Sequence, residues 1–234
     1  MKRFLAVVVL GACATAAPDS PGITPDGSPP PPPPPGDGPP PADAPPDSPP
    51  PPQQVTLQQT ADTLVSNGIT GCNLGFGVIS AISFYRVFPL PEAGVAGVLH
   101  VQKVTFGVRQ ADGTTTLKLK LGTYSGALDA PQLDLNQVTP LTETSVDVPD
   151  SGTLLVDAPV TTDVPAGSNL VVEITHPTSS VFDPLVVFGS TGAAESHRGY
   201  IRASQCMGSN DKALSLDQWG VADRRLVINV TGMK

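Results

Sequence analysis

Hydrophobic and polar residues alternate with a period of two along several stretches of this chain. In the clearest case, Leu117, Leu119 and Leu121 alternate with Lys118 and Lys120. Successive side chains of a β-strand point to opposite faces, so this pattern predicts strands with one buried and one solvated face. Helical spacing of apolar residues is nearly absent. The chain is therefore predicted to be all-β.

The segment 100–108 continues the alternation and predicts which of its residues enter the core. Val104, Phe106 and Val108 share the predicted buried face, with Gln102 beside them near the strand start. The same alternation places Val101 on the opposite face, which is otherwise polar.

About nine strands follow from such runs and from the turn residues between them. They span residues 83–88, 101–109, 115–124, 142–148, 153–156, 169–176, 185–188, 199–203 and 224–231. Asp112 and Gly113 suit a hairpin turn that needs a positive φ angle, and turns are also predicted at 149–152 and 165–167. Short strands at this spacing indicate a single, jelly-roll-like β-sandwich.

The aromatic residues are predicted to serve packing. Phe84 and Phe106 lie in strongly apolar strands and are assigned to the core. A platform for stacking sugar rings has only three candidates, Tyr124, Tyr200 and Trp219. Each of them is interpreted as a partly buried packing residue with its polar tip at the surface.

The region between residues 18 and 52 has a different composition from the rest of the chain. It holds 19 of the 28 prolines and five aspartates, and it has no basic residue. Such a segment lacks apolar side chains to bury, so it is predicted to be a disordered spacer rich in polyproline II, with docking to an aromatic groove as the alternative role. The predicted organisation is a signal peptide over 1–12, a tether over 13–54 and the β-sandwich over 55–234.

The N-terminus carries the features of an export signal. Two basic residues precede an apolar run of nine, which is far shorter than the roughly 20 residues of a membrane-spanning helix. Residues 10–13 (LGAC) resemble the lipobox of bacterial lipoproteins, which implies that Cys13 is acylated and becomes the new N-terminus. The residue after it is Ala14, and by resemblance to Gram-negative lipoproteins this implies the outer membrane. Cleavage after Ala16 at an A-x-A site is the alternative, and it would discard Cys13.

Several strand segments together resemble a known module. They are 83–88 (SFYRVF), 104–108 (VTFGV), 164–168 (VPAGS) with 170–173 (LVVE), 199–203 (GYIRA) and 226–230 (LVINV). These segments are similar to a β-sandwich module that recurs in secreted and surface-anchored bacterial proteins, usually beside another domain or a sorting signal. The resemblance spans residues 72–232. It implies the sandwich fold and no particular activity.

The net charge limits the class of binding partner, and the cysteine content predicts a disulfide. The net charge is −8 and no region is basic, which argues against nucleic acid as a partner. With Cys13 acylated, Cys72 and Cys206 remain, and two cysteines in an exported chain predict a disulfide. A metal pair is the alternative, although neither cysteine has a histidine or a second cysteine at ligand spacing. No cofactor is predicted.

Candidate catalytic residues are few. The possible bases are His100, His176 and His197, and the first two lie at strand ends, where an imidazole is usually a solvated edge residue. No G-x-S-x-G motif occurs. The best polar cluster is His197 with Glu195 and Arg198, and an extracellular hydrolase would use the neighbourhood of Glu195, His197 and Asp183.

Four aspartates are the candidates for a calcium site, because they crowd two turns: Asp147, Asp150, Asp157 and Asp163. The alternative is that these carboxylates only solvate the turns. The sequence as a whole predicts a membrane-anchored envelope lipoprotein. Its non-catalytic β-sandwich is displayed for a structural role or for binding an unknown protein or glycan partner. A hydrolase and a calcium-dependent glycan-binding module are the alternative functions.

Overall fold

A computed structural model describes residues 51–70, 78–79, 81–177, 179–180, 185–203, 205–206 and 212–234. The signal peptide, Cys13, almost all of the predicted tether, Cys72 and Asp183 lie outside the described residues. In chain order the strands are β1 (Gln54–Gln58), β2 (Asn67–Ile69), β3 (Val78–Ile79), β4 (Ile82–Pro89), β5 (Leu99–Asp112), β6 (Thr115–Tyr124), β7 (Gln132–Asp134), β8 (Val138–Val148), β9 (Leu154–Val164), β10 (Asn169–His176), β11 (Ser179–Ser180), β12 (Leu185–Thr191), β13 (Gly199–Arg202), β14 (Lys212–Ser215), β15 (Arg225–Leu226) and β16 (Ile228–Met233). A 3₁₀ turn, Leu135–Gln137, lies between β7 and β8.

The strands form two antiparallel sheets that pack face to face. The first sheet has the order β1-β16-β5-β12-β15, with β9 also paired to β5 and β2 to β12. The second sheet has the order β7-β14-β13-β4-β10-β6-β8. A small two-stranded sheet, β11-β3, is separate. The predicted all-β sandwich is confirmed, and within the described residues no helix is long and apolar enough to span a membrane.

The interior between the two sheets is built from the apolar faces that the alternation predicts. Phe84 from the second sheet stacks on Phe188 from the first, with ring centroids 4.3 Å apart, and the ring of Phe106, also from the first sheet, is stacked with its centroid 5.7 Å from that of Phe188. All three rings are almost fully buried. Burying such a side chain stabilises the fold by about 1.5 to 3 kcal/mol, so this stack ties the two sheets together.

The strand count differs from the prediction. Each of the nine predicted strands overlaps an observed one, and the predicted strand 224–231 is split into β15 and β16. The additional strands are β1, β2, β3, β7, β11 and β14, each of two to five residues. Runs this short carry too few residues to show alternation, and their strand conformation comes from pairing with a neighbour.

Val101 is buried, although the alternation assigns it to the solvated face. Its exposed fraction is 1 %. The register of β5 shifts here against both neighbours: Gln102 is an extra residue against β16, whereas against β9 it corresponds to two residues, 160 and 161. A β-bulge of this kind places two successive residues on the same side of the alternation, and Val101 consequently turns into the core.

The turn at Asp112 and Gly113 does not form the predicted hairpin. Gly113 has the expected positive φ of 78°. However, β5 belongs to the first sheet and β6 to the second, so the turn carries the chain across the sandwich. The turns after β8 and after β9 also cross between the sheets.

Candidate functional site

The three tyrosines of the chain all lie on the outer face of the second sheet. On β4, Phe84 belongs to the interior cluster, and alternation therefore places Tyr85 on the outer face. Tyr124 from β6 and Tyr200 from β13 join Tyr85 in a second apolar cluster on that face. We call this surface the tyrosine face.

A segment of the chain covers the tyrosine face. Residues 125–138, the covering segment, contribute Leu133, Leu135 and Val138 to the cluster around the tyrosines. Tyr124 and Tyr200 are only 4 % and 2 % exposed. They are therefore more deeply buried than the sequence suggests, and neither ring is available as a flat stacking platform.

One residue of the covering segment has a strained backbone and two side-chain anchors. Asp129 has a φ of 55°, a left-handed conformation that is uncommon for residues other than glycine. Its Oδ1 accepts a hydrogen bond from the backbone N–H of Arg198 at 2.9 Å, and its Oδ2 lies 2.8 Å from Nδ1 of His197. These contacts fix the start of the covering segment to the chain just before β13.

Beside the covering segment, directly opposed side chains form a row across the second sheet. Register pairs Tyr200 with Tyr85, Tyr85 with Glu173, Glu173 with Lys120, and Lys120 with Glu143. Directly opposed side chains in an antiparallel sheet have Cβ atoms about 4.5 to 5.5 Å apart. The row therefore brings hydroxyl, carboxylate and ammonium groups together from five different strands.

A cleft of about 260 Å³ lies over the middle of this row. Its polar wall consists of Tyr85, Lys120, Glu173 and Arg202. The rest of its lining is Leu121, Gly122, Leu135, Val138, Pro140 and Val171. A β-bulge in the pairing of β6 with β8, between Leu121 and Gly122, borders the cleft, and such bulges are common beside binding sites.

Hydrogen bonds hold Glu173 in a fixed position at the cleft. The Tyr85 hydroxyl donates to its Oε1 at 2.9 Å, and the Thr175 hydroxyl lies 3.1 Å from the same oxygen. Ser83 continues the network, with its hydroxyl 2.8 Å from that of Thr175. Among the described residues, these hydrogen bonds to the carboxylate all end on Oε1, so Oε2 is the oxygen left for a ligand.

The electrostatics of the row follow from burial and neighbouring charge. Burial raises the pKa of the Tyr85 hydroxyl well above its ordinary value, and the negative charge of Glu173 adds to the shift. Burial also raises the pKa of Tyr200 and of Tyr124. At the solvent end of the row, the hydrogen bond from Lys118 lowers the pKa of Glu143, which also lies 3.6 Å from Lys120.

A second polar cluster lies inside the sandwich around Arg86. Its guanidinium is fully buried and donates to Glu195 at 2.9 Å and to the carbonyls of Leu226 and His197 at 2.7 Å and 2.9 Å. It also donates to Gln59 Oε1 at 3.1 Å. Burial lowers the pKa of Arg86 and raises that of Glu195, while their mutual attraction opposes both changes. This cluster connects β4 with the first sheet and with the chain before β13.

The hydrolase hypothesis requires Glu195 and His197 to act on a common substrate, and the structure gives them separate partners. Glu195 is held by Arg86 and lies 3.1 Å from Nε of Arg225, an ion pair without hydrogen-bond geometry. Both ring nitrogens of His197 lie beside carboxylates, Nδ1 at 2.8 Å from Asp129 and Nε2 at 3.1 Å from Glu92. The third candidate, Asp183, lies outside the described residues.

The other candidate histidines also contact neighbours at strand ends. Nδ1 of His100 lies 2.7 Å from Asp163 on the exposed surface of the first sheet. His176 is buried, with Nδ1 2.6 Å from the carbonyl of Pro177, so it is not the solvated edge residue that the sequence suggests. Trp219 packs partly buried against the interior cluster, away from the tyrosine face.

The four calcium candidates do not come together. Asp157 and Asp163 lie on β9 and contact Lys103 and His100, while Asp147 lies on β8 and accepts from Thr116. Asp150 is exposed in the turn after β8. Within the described part of the chain, no group of three or more acidic, histidine or cysteine side chains is placed to hold a metal ion.

Of the two cysteines predicted to pair, only Cys206 lies among the described residues. It is half-buried against the interior cluster and is disulfide-bonded. Because Cys72 lies outside the described residues, the Cys72–Cys206 pairing stays a prediction.

The pairing has a direct chemical test. With Cys13 acylated, we expect the denatured, unreduced chain to show no free thiol in a titration, and to show the two thiols of Cys72 and Cys206 after reduction. Reactive thiols before reduction would contradict the bridge.

Comparison with known proteins identifies no family. No family model matches the chain, and no curated protein matches it significantly. Among solved structures, it is similar to the cysteine protease and lectin-like domains of Cwp84, a surface-layer-associated protein of Clostridium difficile, at 14 % identity and a TM-score of 0.47 over 66 % of this chain and 32 % of that one. It is also similar to the clostridial cysteine protease Cwp84 after propeptide cleavage, at 12 % identity and a TM-score of 0.49. That match covers 76 % of this chain and 40 % of the other. The chain thus spans two fifths or less of these neighbours. Similarity at this level indicates no activity, ligand or family.

Proposed function

We propose that this chain is an exported envelope lipoprotein that displays a non-catalytic β-sandwich for binding. The cleft on the outer face of the second sheet carries the proposal. It combines a carboxylate fixed by hydrogen bonds, two cationic side chains and an apolar wall in one concave site, which is the usual composition of a ligand pocket.

The contacts of the other polar residues support a role that does not involve catalysis. A catalytic base needs a ring nitrogen or carboxylate oxygen that can receive a proton from substrate or water. His197 faces a carboxylate at each nitrogen, and Glu195 is held by two arginines. These charged groups thus serve to fix the covering segment and the sandwich interior.

The sequence supports the anchored location. Residues 10–13 fit a lipobox, and the region from residue 18 to residue 52 has the composition of a spacer. We propose that acylated Cys13 holds the chain on a membrane, the outer membrane of a Gram-negative cell, and that the spacer separates the sandwich from the lipid surface. Several acyl chains suffice for stable attachment, because each buried CH₂ contributes about 0.8 kcal/mol.

The anchor is tested by a Cys13→Ala variant expressed in a Gram-negative host. We expect the unaltered chain in the membrane fraction and the variant in the soluble periplasmic fraction or retained as an unprocessed precursor. Thr15→Ala, which changes a nearby residue and leaves the thiol in place, is the matched control and should stay in the membrane. A Cys13→Ala chain that is processed and still fractionates with membrane would refute the anchor.

A further inference from the structure

The cleft presents a hydrogen-bond acceptor and a donor side by side. Glu173 and Lys120 are direct neighbours across strands β10 and β6. Among the described residues, no ion pair joins these two side chains. Lys120 is directed to Glu143 at 3.6 Å, and Oε1 of Glu173 is occupied by the hydroxyls of Tyr85 and Thr175. Among the described residues, no hydrogen bond ends on Oε2 of Glu173, and an ammonium group has three donors, so Lys120 can bind a ligand beside its contact with Glu143.

The mixture of charges in the cleft selects against charged ligands. A carboxylate or phosphate would be attracted by Lys120 and Arg202 but would face the negative charge of Glu173. A ligand amine would be attracted by Glu173 and would face both cations. A neutral group that both donates and accepts avoids either repulsion. A pair of adjacent hydroxyls does this, because one can donate to the carboxylate while the other accepts from the ammonium.

The remaining walls and the size of the cleft limit the rest of the ligand. Leu135, Val138 and Pro140 contribute apolar surface to the lining, in addition to the polar side chains. A volume of about 260 Å³ is just below the range of roughly 300 to 1,000 Å³ for drug-sized ligands, which leaves room for a single ring. A sugar ring has hydroxyl groups around its edge and C–H groups on its faces, and it matches both kinds of wall.

We propose that the cleft binds a neutral saccharide ring. Two adjacent hydroxyls of the sugar contact Oε2 of Glu173 and Nζ of Lys120, and the C–H face of the ring lies against Val138 and Pro140. Tyr85 and Thr175 are positioning residues, because they hold Glu173 through Oε1. The inference rests on the proposed binding role of the sandwich and names the ligand class for that site.

Saturation-transfer difference NMR on the detergent-purified full chain tests the inference. The probes are glucose, galactose, mannose and N-acetylglucosamine as neutral sugars, glucuronic acid as the anionic analogue and glucosamine as the cationic one. We expect saturable transfer to at least one neutral sugar and weaker binding of both charged analogues. The matched variants are Lys120→Met and Lys118→Met, since both lysines contact Glu143 but only Lys120 lines the cleft.

The expected effect of Lys120→Met is a loss of affinity of roughly tenfold or more, the size of a hydrogen bond to a charged group. Glu173→Gln should weaken binding similarly, and Lys118→Met should stay within about twofold of the unaltered chain. Unchanged melting temperatures would show that the variants are folded.

Three results would overturn the inference: no transfer to any neutral sugar, preferential binding of glucuronic acid or glucosamine, or equal losses in the two lysine variants. None of them affects membrane attachment through Cys13, so failure of the ligand class is distinguishable from failure of the anchored role.

Discussion

Replacing Arg86 by methionine is expected to lower the free energy of unfolding by about 3 to 5 kcal/mol, the usual cost of breaking a buried ion pair. Methionine fills much of the same volume, so the loss comes mainly from polar groups. Of its two arginine partners among the described residues, Glu195 would keep Arg225, and the carbonyls of Leu226 and His197 would lose a donor inside the sandwich. Chemical denaturation followed by circular dichroism measures the change.

The cost of the Arg86 substitution should depend on pH. Burial raises the folded-state pKa of Glu195 above its ordinary value of 4.5, and loss of Arg86 removes the attraction that opposes this shift. A group whose folded pKa is raised binds more protons in the native state, so stability falls as pH rises from 4.5 through the folded pKa. The difference between the variant and the unaltered chain should therefore shrink as the pH is lowered towards 4.5.

The matched control is Arg109→Met, because Arg109 is an exposed strand arginine on the first sheet. Its substitution should change stability by no more than about 0.5 kcal/mol. If both arginine variants lost equal stability, or if the cost of Arg86→Met did not vary with pH, the buried cluster would not have the assigned role.

The tyrosines should resist ionisation until the chain unfolds. The pKa values of Tyr85, Tyr124 and Tyr200 are all raised by burial, and these are all the tyrosines of the chain. A raised folded pKa means that stability is intact below the ordinary value of 10 and falls as pH rises above it. Three such groups give a slope of up to about 4 kcal/mol per pH unit. The near-ultraviolet absorbance of tyrosinate should therefore appear late and together with unfolding.

A Tyr85→Phe variant provides the control for the alkaline transition. It removes one of the three buried hydroxyls, so the loss of stability above pH 10 should become less steep by about a third. Gradual appearance of tyrosinate near pH 10 in a chain that remains folded would show that the covering segment does not bury the tyrosine face.

The architecture is largely encoded in local alternation. Leu117, Leu119 and Leu121 are all buried as their pattern predicts, and the same holds for Phe106. Alternation does not specify which strands pair with each other. The bulge at Gln102, which buries Val101, arises from the register of β5 with two partners that lie far along the chain. The crossing turn at Gly113 likewise depends on which sheet each strand joins.

The sequence predicts less of the candidate site than of the fold. Alternation places Glu173 and Lys120 on the outer faces of their strands, so the signal for each residue is present. Nothing local places β10 between β4 and β6, however, and that order creates the row and the cleft. Glu195 and His197 show the opposite case. They are close in sequence, but burial directs one to Arg86 and leaves the other between Asp129 and Glu92.

Mass spectrometry of the intact mature chain is the most direct measurement of the proposed lipid-anchored display. We expect a mature protein whose first residue is Cys13, with a mass increased by covalently attached acyl chains. A mature chain that begins after Ala16 and carries no fatty acid would contradict it.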